Sequence, residues 1–129
     1  MTTELTILAW TLVLAFVHIM AFAIVRTRQY GADWNTGARG ANMPPLAPVA
    51  DRLRRAQANL LETLPLFVAA VLIAHVAGIH TRTTILGAEL YFWARVVYLP
   101  LYALGVPKVR TLVWLVSIVG LAMIVLAVL

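Results

Sequence analysis

The chain contains no cysteine, which excludes disulfide staples and any protein-derived thiol nucleophile. Sulfur chemistry, if there is any, has to arrive with a ligand. Charge is equally scarce: 12% of residues are ionisable Asp, Glu, Lys or Arg, against 63% hydrophobic. There is no internal repeat, no low-complexity tract and no heptad array. A mean hydropathy of +0.92 lies well outside the range of soluble domains. What remains is an integral membrane protein, and 129 residues with about 20 per apolar span leave room for four helices and no separate soluble domain.

Four spans can be placed, at about 5–25, 52–78, 84–105 and 111–129, predicting an all-α four-helix membrane bundle in a single domain. The first, LTILAWTLVLAFVHIMAFAIV, is halted at Arg26. A signal peptide is the competing reading, but the N-terminus carries Glu4 and no basic residue where a positive n-region belongs. The stretch RTRQYGADWNTGARGANMPPLAPVAD, rich in Gly and Pro, reads as an irregular surface loop. IHTRT and VPKVR make the two later turns.

Basic residues set the orientation. Arg26, Arg28, Arg39, Arg52, Arg54 and Arg55 crowd the first loop and the start of span two, Lys108 and Arg110 occupy the third loop, and Arg82 is alone on the other side. The positive-inside rule then puts the first and third loops in the cytoplasm and both termini outside. The net charge of +5 is therefore accounted for by topology and anionic-lipid contact and needs no nucleic acid.

Polar groups inside the spans carry the functional signal, because lipid tolerates them only where they are paired or used. On span two, Arg52, Arg55, Asn59, Glu62 and Leu66 share one stripe at helical spacing. On span three, Tyr91, Arg95, Tyr98 and Tyr102 form another. By rise per residue, Glu62 lies roughly 10 Å and Arg95 roughly 15 Å from the loop-side ends of their spans. This predicts a Glu62–Arg95 ion pair, within one subunit or across two. Arg55, Arg95, Lys108 and Arg110 outnumber Glu62, so a pocket gathering them favours an anionic guest. Thr111 is expected to cap span four, whose N-terminus beside Arg110 would push a bound thiol toward thiolate.

Two histidines in a small bundle raise the question of haem. His18 and His75 stand at different depths, which argues against a shared iron, and no metal or haem site is expected. Glu89 is placed to meet His75, and Trp10, Trp93 and Trp114 to sit in interfaces or packing. Pro65 and Pro100 free carbonyls one turn earlier and are expected to kink their spans.

RAQANLLETLPLF in span two resembles the signature of the membrane-associated proteins in eicosanoid and glutathione metabolism, the MAPEG family. The pattern there is close to R-A-x-x-N-x-x-E followed by Pro and Phe. ARVVYLPLY in span three, the basic turn before span four, the four spans and the long first loop extend the likeness over nearly the whole chain. It is similar to the microsomal glutathione transferases within that family.

The resemblance implies a homotrimer with glutathione held between subunits on the cytosolic side. Arg55, Asn59 and Glu62 match the family's span-two residues, Gln57 a glutamine of its leukotriene synthase branch, Arg95 its span-three arginine, and Tyr98 and Tyr102 its glutathione-holding tyrosines. Arg110 matches the thiol-activating arginine, with Lys108 as a substitute. Arg26 or Arg28 matches an arginine ending span one. Ala58 and Tyr98 depart from the prostaglandin synthase branch, so prostaglandin isomerisation is not expected.

The function so implied is conjugation of glutathione thiolate to apolar electrophiles arriving from the bilayer, with reduction of lipid hydroperoxides as a further activity, in a bacterial inner membrane. The alternative is a catalytically inactive accessory subunit, or a lipid- or quinone-binding protein, of the same fold.

Overall fold

The computed structural model describes residues 1–40 and 42–129. Among these it contains five α-helices: α1 (Thr3–Tyr30), α2 (Ala32–Thr36), α3 (Pro48–Val76), α4 (Arg82–Ala103) and α5 (Lys108–Val128). Helix α1 starts where the Thr2 side chain accepts the Leu5 N–H, and stops at Gly31, whose φ of +95° breaks the helix. It thus runs five residues beyond the expected end at Val25, since neither Arg26 nor Arg28 is a helix breaker.

The first loop is more ordered than its Gly and Pro content suggests. It holds the short α2, and the segment leading into the next helix is clamped: Gln29 Nε2 donates to the Pro45 carbonyl (2.9 Å), Gln29 Oε1 accepts the Ala47 N–H (2.7 Å), and the Tyr30 hydroxyl donates to the Pro44 carbonyl (2.6 Å). Ala41, within the same expected loop, lies outside the described residues. Pro48 opens α3 at its first position, where a missing N–H costs nothing. The helix therefore starts four residues before the expected Arg52. Pro65 and Pro100 are both contained in uninterrupted α-helices.

Helices α1, α3 and α5 are long and apolar enough to cross a membrane. Helix α4, at 22 residues, is about 33 Å long by helical rise, but Glu89, Arg95 and its tyrosines dilute its apolar character. Many large side chains point outward, including Phe16, Leu112 and Leu126, as lipid-facing positions do. Helices α3 and α4 each pack on α1, on α5 and on one another, whereas α1 and α5 do not meet. The bundle is therefore a four-helix diamond with α3 and α4 on its short diagonal.

The tightest seam is α4 against α5. A Cβ on Gly87 would fall 2.6 Å from the Gly120 carbonyl oxygen, and one on Gly120 would fall 2.5 Å from the Gly87 carbonyl oxygen. Both are backbone atoms, so the helices touch where only glycine fits. At the α3–α4 seam, Phe67 stacks on Tyr91 (4.1 Å between centroids, 14° interplanar), and the Tyr91 hydroxyl hydrogen-bonds Thr63 Oγ1 (2.9 Å).

The end of the bundle carrying the termini is tied by Glu4. Its Oε2 accepts from Thr84 Oγ1 (2.9 Å) and meets His80 Nδ1 (2.7 Å). Thr84 also completes a capping box with Thr81. The expected Glu89–His75 contact is not formed: both side chains are exposed and neither is in an ion pair among the described residues, and the carboxylate–histidine pair at this end is Glu4 with His80 instead.

The glycine seam makes a prediction. Gly120→Leu should wedge α4 from α5 and lower stability by about 1–3 kcal/mol, read as a fall in the thermal unfolding midpoint in detergent. Gly40→Ala, at a position open on all sides, should leave the midpoint unchanged.

Candidate functional site

Arg95 is the largest fully buried side chain in the bundle, at 0% exposure. Helix α4 presents it inward because it shares a face with Tyr91, Tyr98 and Tyr102, at the i, i+4, i+7, i+11 spacing of one stripe. Its Nη1 donates to Asn59 Oδ1 on α3 (2.8 Å), and its guanidinium carbon lies 4.3 Å from the Tyr98 ring centroid. The Nε and Nη2 groups are buried without a hydrogen-bond partner, leaving donor capacity toward a guest.

From Arg95 the polar groups continue toward the loop end. Tyr98 packs edge-on against Tyr102 (5.5 Å between centroids, 61° interplanar), and the Arg110 guanidinium sits 4.5 Å from the Tyr102 ring centroid. Two cations are thus held on the faces of two tyrosines, an arrangement that leaves guanidinium edges free to donate. Asn59, Tyr98, Tyr102, Arg110, Thr111 and Trp114 line a cavity of about 230 Å³. Trp114 was not legible as a site residue, although its position one turn after Arg110 on α5 is the available signal.

The structure therefore brings together Asn59, Arg95, Tyr98, Tyr102 and Arg110 from three helices. The other expected residues lie elsewhere in the chain. Arg55 is exposed and paired with Asp51 (3.0 Å), which also binds Arg54 (2.7 Å). Arg52 turns to the end of α4, where its Nε donates to the Ala103 carbonyl (2.9 Å). Arg26 packs over Phe22 and Trp34 (5.0 and 5.4 Å to the centroids). Arg28 is exposed and Gln57 half-buried. Lys108 joins Arg110 and Thr111 around a separate open recess.

One expectation is narrowed and one corrected. Within the chain Arg95 pairs with Asn59 and forms no salt bridge with Glu62, which leaves the form of that ion pair that crosses between two subunits. Glu62, three residues on from Asn59, is rotated by about 60° around α3 and points to the exposed side. Thr111 is not the cap of α5: the helix already begins at Lys108 with Pro107 as its N-cap residue, and Thr111 Oγ1 donates to the Pro107 carbonyl (3.4 Å) from inside the first turn. His18 is buried on α1 with neither ring nitrogen hydrogen-bonded, and no cluster of three metal-ligating side chains exists among the described residues.

Membrane-length apolar helices around an internal polar cluster centred on Arg95 define a helical integral membrane protein. The family model that matches the chain, over residues 7–129, is that of the MAPEG family, and the protein belongs to that family. Its members include glutathione transferases and leukotriene synthases. No curated protein matches the chain.

Removing the one protein acceptor of Arg95 should be costly. Asn59→Leu leaves the buried guanidinium without a hydrogen bond and should destabilise the bundle by about 1–3 kcal/mol, seen as a lower unfolding midpoint in detergent. Gln57→Leu, on the same helix but outside this contact, should change it by no more than about 0.5 kcal/mol.

Proposed function

We propose that this protein is a membrane glutathione transferase that conjugates the glutathione thiolate to apolar electrophiles dissolved in the bilayer. The observation that carries this reading is the Asn59–Arg95–Tyr98–Tyr102–Arg110 array, a cationic cavity that opens beside half-buried Arg110 and in which the buried Arg95 keeps two guanidinium nitrogens without a protein partner. Glutathione supplies the complementary groups: two carboxylates for arginine, an ammonium for a carboxylate, amides for Asn59 and the tyrosine hydroxyls, and a thiol.

A volume of about 230 Å³ falls below the roughly 300–1,000 Å³ of complete small-molecule sites, so one chain forms part of the binding site in this proposal. The exposed face of α3 carrying Arg55, Glu62 and half-buried Gln57 completes it against a neighbour in a homotrimer of four-span subunits. Arg26 or Arg28 from the end of α1 adds a further cation there. By the distribution of basic residues, this end of the bundle faces the cytoplasm.

Arg110 is the proposed catalytic residue. Its guanidinium stabilises the thiolate, which forms the new C–S bond while the leaving group departs with its electron pair, or while the adduct takes up a proton. Lys108, in the same turn, raises the local positive potential. Toward a lipid hydroperoxide, two thiols would be oxidised to a disulfide as the peroxide is reduced to an alcohol and water.

The pairing of Arg55 with Asp51 and the outward direction of Glu62 favour a second reading, an accessory subunit whose polar stripe only holds an assembly together. Glu62→Gln separates the two: in a transferase it weakens glutathione binding with the trimer intact, and in an accessory subunit it dissolves the assembly.

Glutathione titrated into detergent-purified protein should bind saturably, with ultraviolet thiolate absorbance appearing near neutral pH. Arg110→Ala should raise the thiol pKa and lower turnover about a hundredfold while glutathione still binds. Full turnover with an unchanged thiol pKa in that variant would remove Arg110 from its role.

A further inference from the structure

Glu89 and Trp93 stand one turn apart on α4, on the side opposite the Arg95 stripe. Both are exposed, Trp93 at 60%. Glu89 lies about 10 Å along the helix from its first residue, Arg82. An exposed tryptophan near a membrane interface is ordinary. An exposed carboxylate at that depth is not, because lipid offers it neither water nor a countercharge.

The charged groups at this end of the bundle do not supply one. Glu4 is engaged with both His80 and Thr84. His75 does not reach Glu89, and among the described residues no ion pair includes it. Arg82 shares the face two turns away, and Met1, bearing the N-terminal ammonium, lines one of the cavities beside Glu89, but neither forms an ion pair with it.

Two cavities adjoin at this pair. One, of about 320 Å³, lies between α1 and α4 and brings Trp10 and Phe92 to Glu89 and Trp93. Phe92 meets Trp93 edge-on, 5.1 Å between centroids. The other, of about 370 Å³, runs between α4 and α5, walled by Leu90, Val97, Val113 and Val116, with Glu89 as its sole carboxylate. Aromatic faces around a carboxylate suit an ammonium ion, which gains both charge pairing and attraction to the ring quadrupoles. The adjoining trough suits an apolar chain.

We propose that this face of α4 is a binding site for lipophilic ammonium compounds, the cation held by Glu89, Trp93 and Trp10 and the alkyl chain laid along the α4–α5 trough. The order of charges selects an ammonium joined directly to its chain. In a zwitterionic phospholipid the phosphate lies between chain and ammonium, which would set phosphate on Glu89 and ammonium toward Arg82, both like against like. The site is separate from the Asn59–Arg110 cavity and independent of what that cavity binds.

The test uses the full-length protein in phosphatidylcholine nanodiscs and a spin-labelled dodecyltrimethylammonium probe, compared with the same labelled chain ending in a neutral amide. The fraction of immobilised label reports binding. The wild type should retain the cation at least tenfold more strongly than the amide. Glu89→Gln should abolish that preference with the mass of the assembly unchanged, and Trp93→Leu should weaken it severalfold. Glu89→Asp, which keeps the charge, should preserve it. Equal retention of the two probes, or a preference surviving in Glu89→Gln, overturns the proposal. So does displacement of the cation by phosphatidylethanolamine, which would identify a phospholipid site. A change of assembly mass in Glu89→Gln would show instead that a second copy of the chain covers this face.

Discussion

The burial of Arg95 is the constraint on which the polar half of this structure depends. A guanidinium at full burial in a membrane bundle survives only with acceptors and π faces around it. Asn59 and Tyr98 supply these from α3 and from the next turn of α4. Because Tyr98 is committed to Arg95, Tyr102 is left to carry Arg110, and the cavity takes shape between the two stacked cations. The protein satisfies only one of the three guanidinium nitrogens by hydrogen bonding. A bundle needing Arg95 only as internal glue would be expected to satisfy all three.

Helix α4 divides the molecule's chemistry. Its tyrosine stripe faces α3 and is stiffened by the Phe67–Tyr91 stack and the Thr63 hydrogen bond. Its glycine at position 87 brings it into backbone contact with α5, so the helix carrying Arg110 cannot drift relative to the helix carrying Arg95. Its remaining face, with Glu89 and Trp93, stays open between α1 and α5, which do not touch. Rigid packing on two sides thus coexists with a third side exposed at the bundle surface.

Much of the site was legible in the sequence because helical spacing is strict. Tyr91, Arg95, Tyr98 and Tyr102 share a face on any α-helix, and all four lie along the observed inner stripe. The span-two stripe was read less accurately. Arg52, Arg55, Asn59 and Glu62 span a sector of α3 wide enough that a rotation of a few tens of degrees decides which of them meets Arg95. Asn59 does, Glu62 faces outward, and Arg55 finds Asp51 on its own helix. The order of the first loop was hidden for a different reason, since its clamp joins Gln29 and Tyr30 to backbone carbonyls of Pro45 and Pro44, contacts that composition does not encode.

Local sequence specifies a membrane bundle, the approximate positions of its helices, the family signature and the residue types of a cationic site. These follow from local quantities: apolar run length, the 3.6-residue period and the identity of side chains at fixed spacings. Packing in three dimensions settles that within the chain Arg95 takes Asn59 rather than Glu62, that Gly87 and Gly120 let α4 and α5 touch, and that Glu89 forms no ion pair among the described residues. Each of these depends on the rotation and separation of neighbouring helices, which arise from packing between segments distant in the chain.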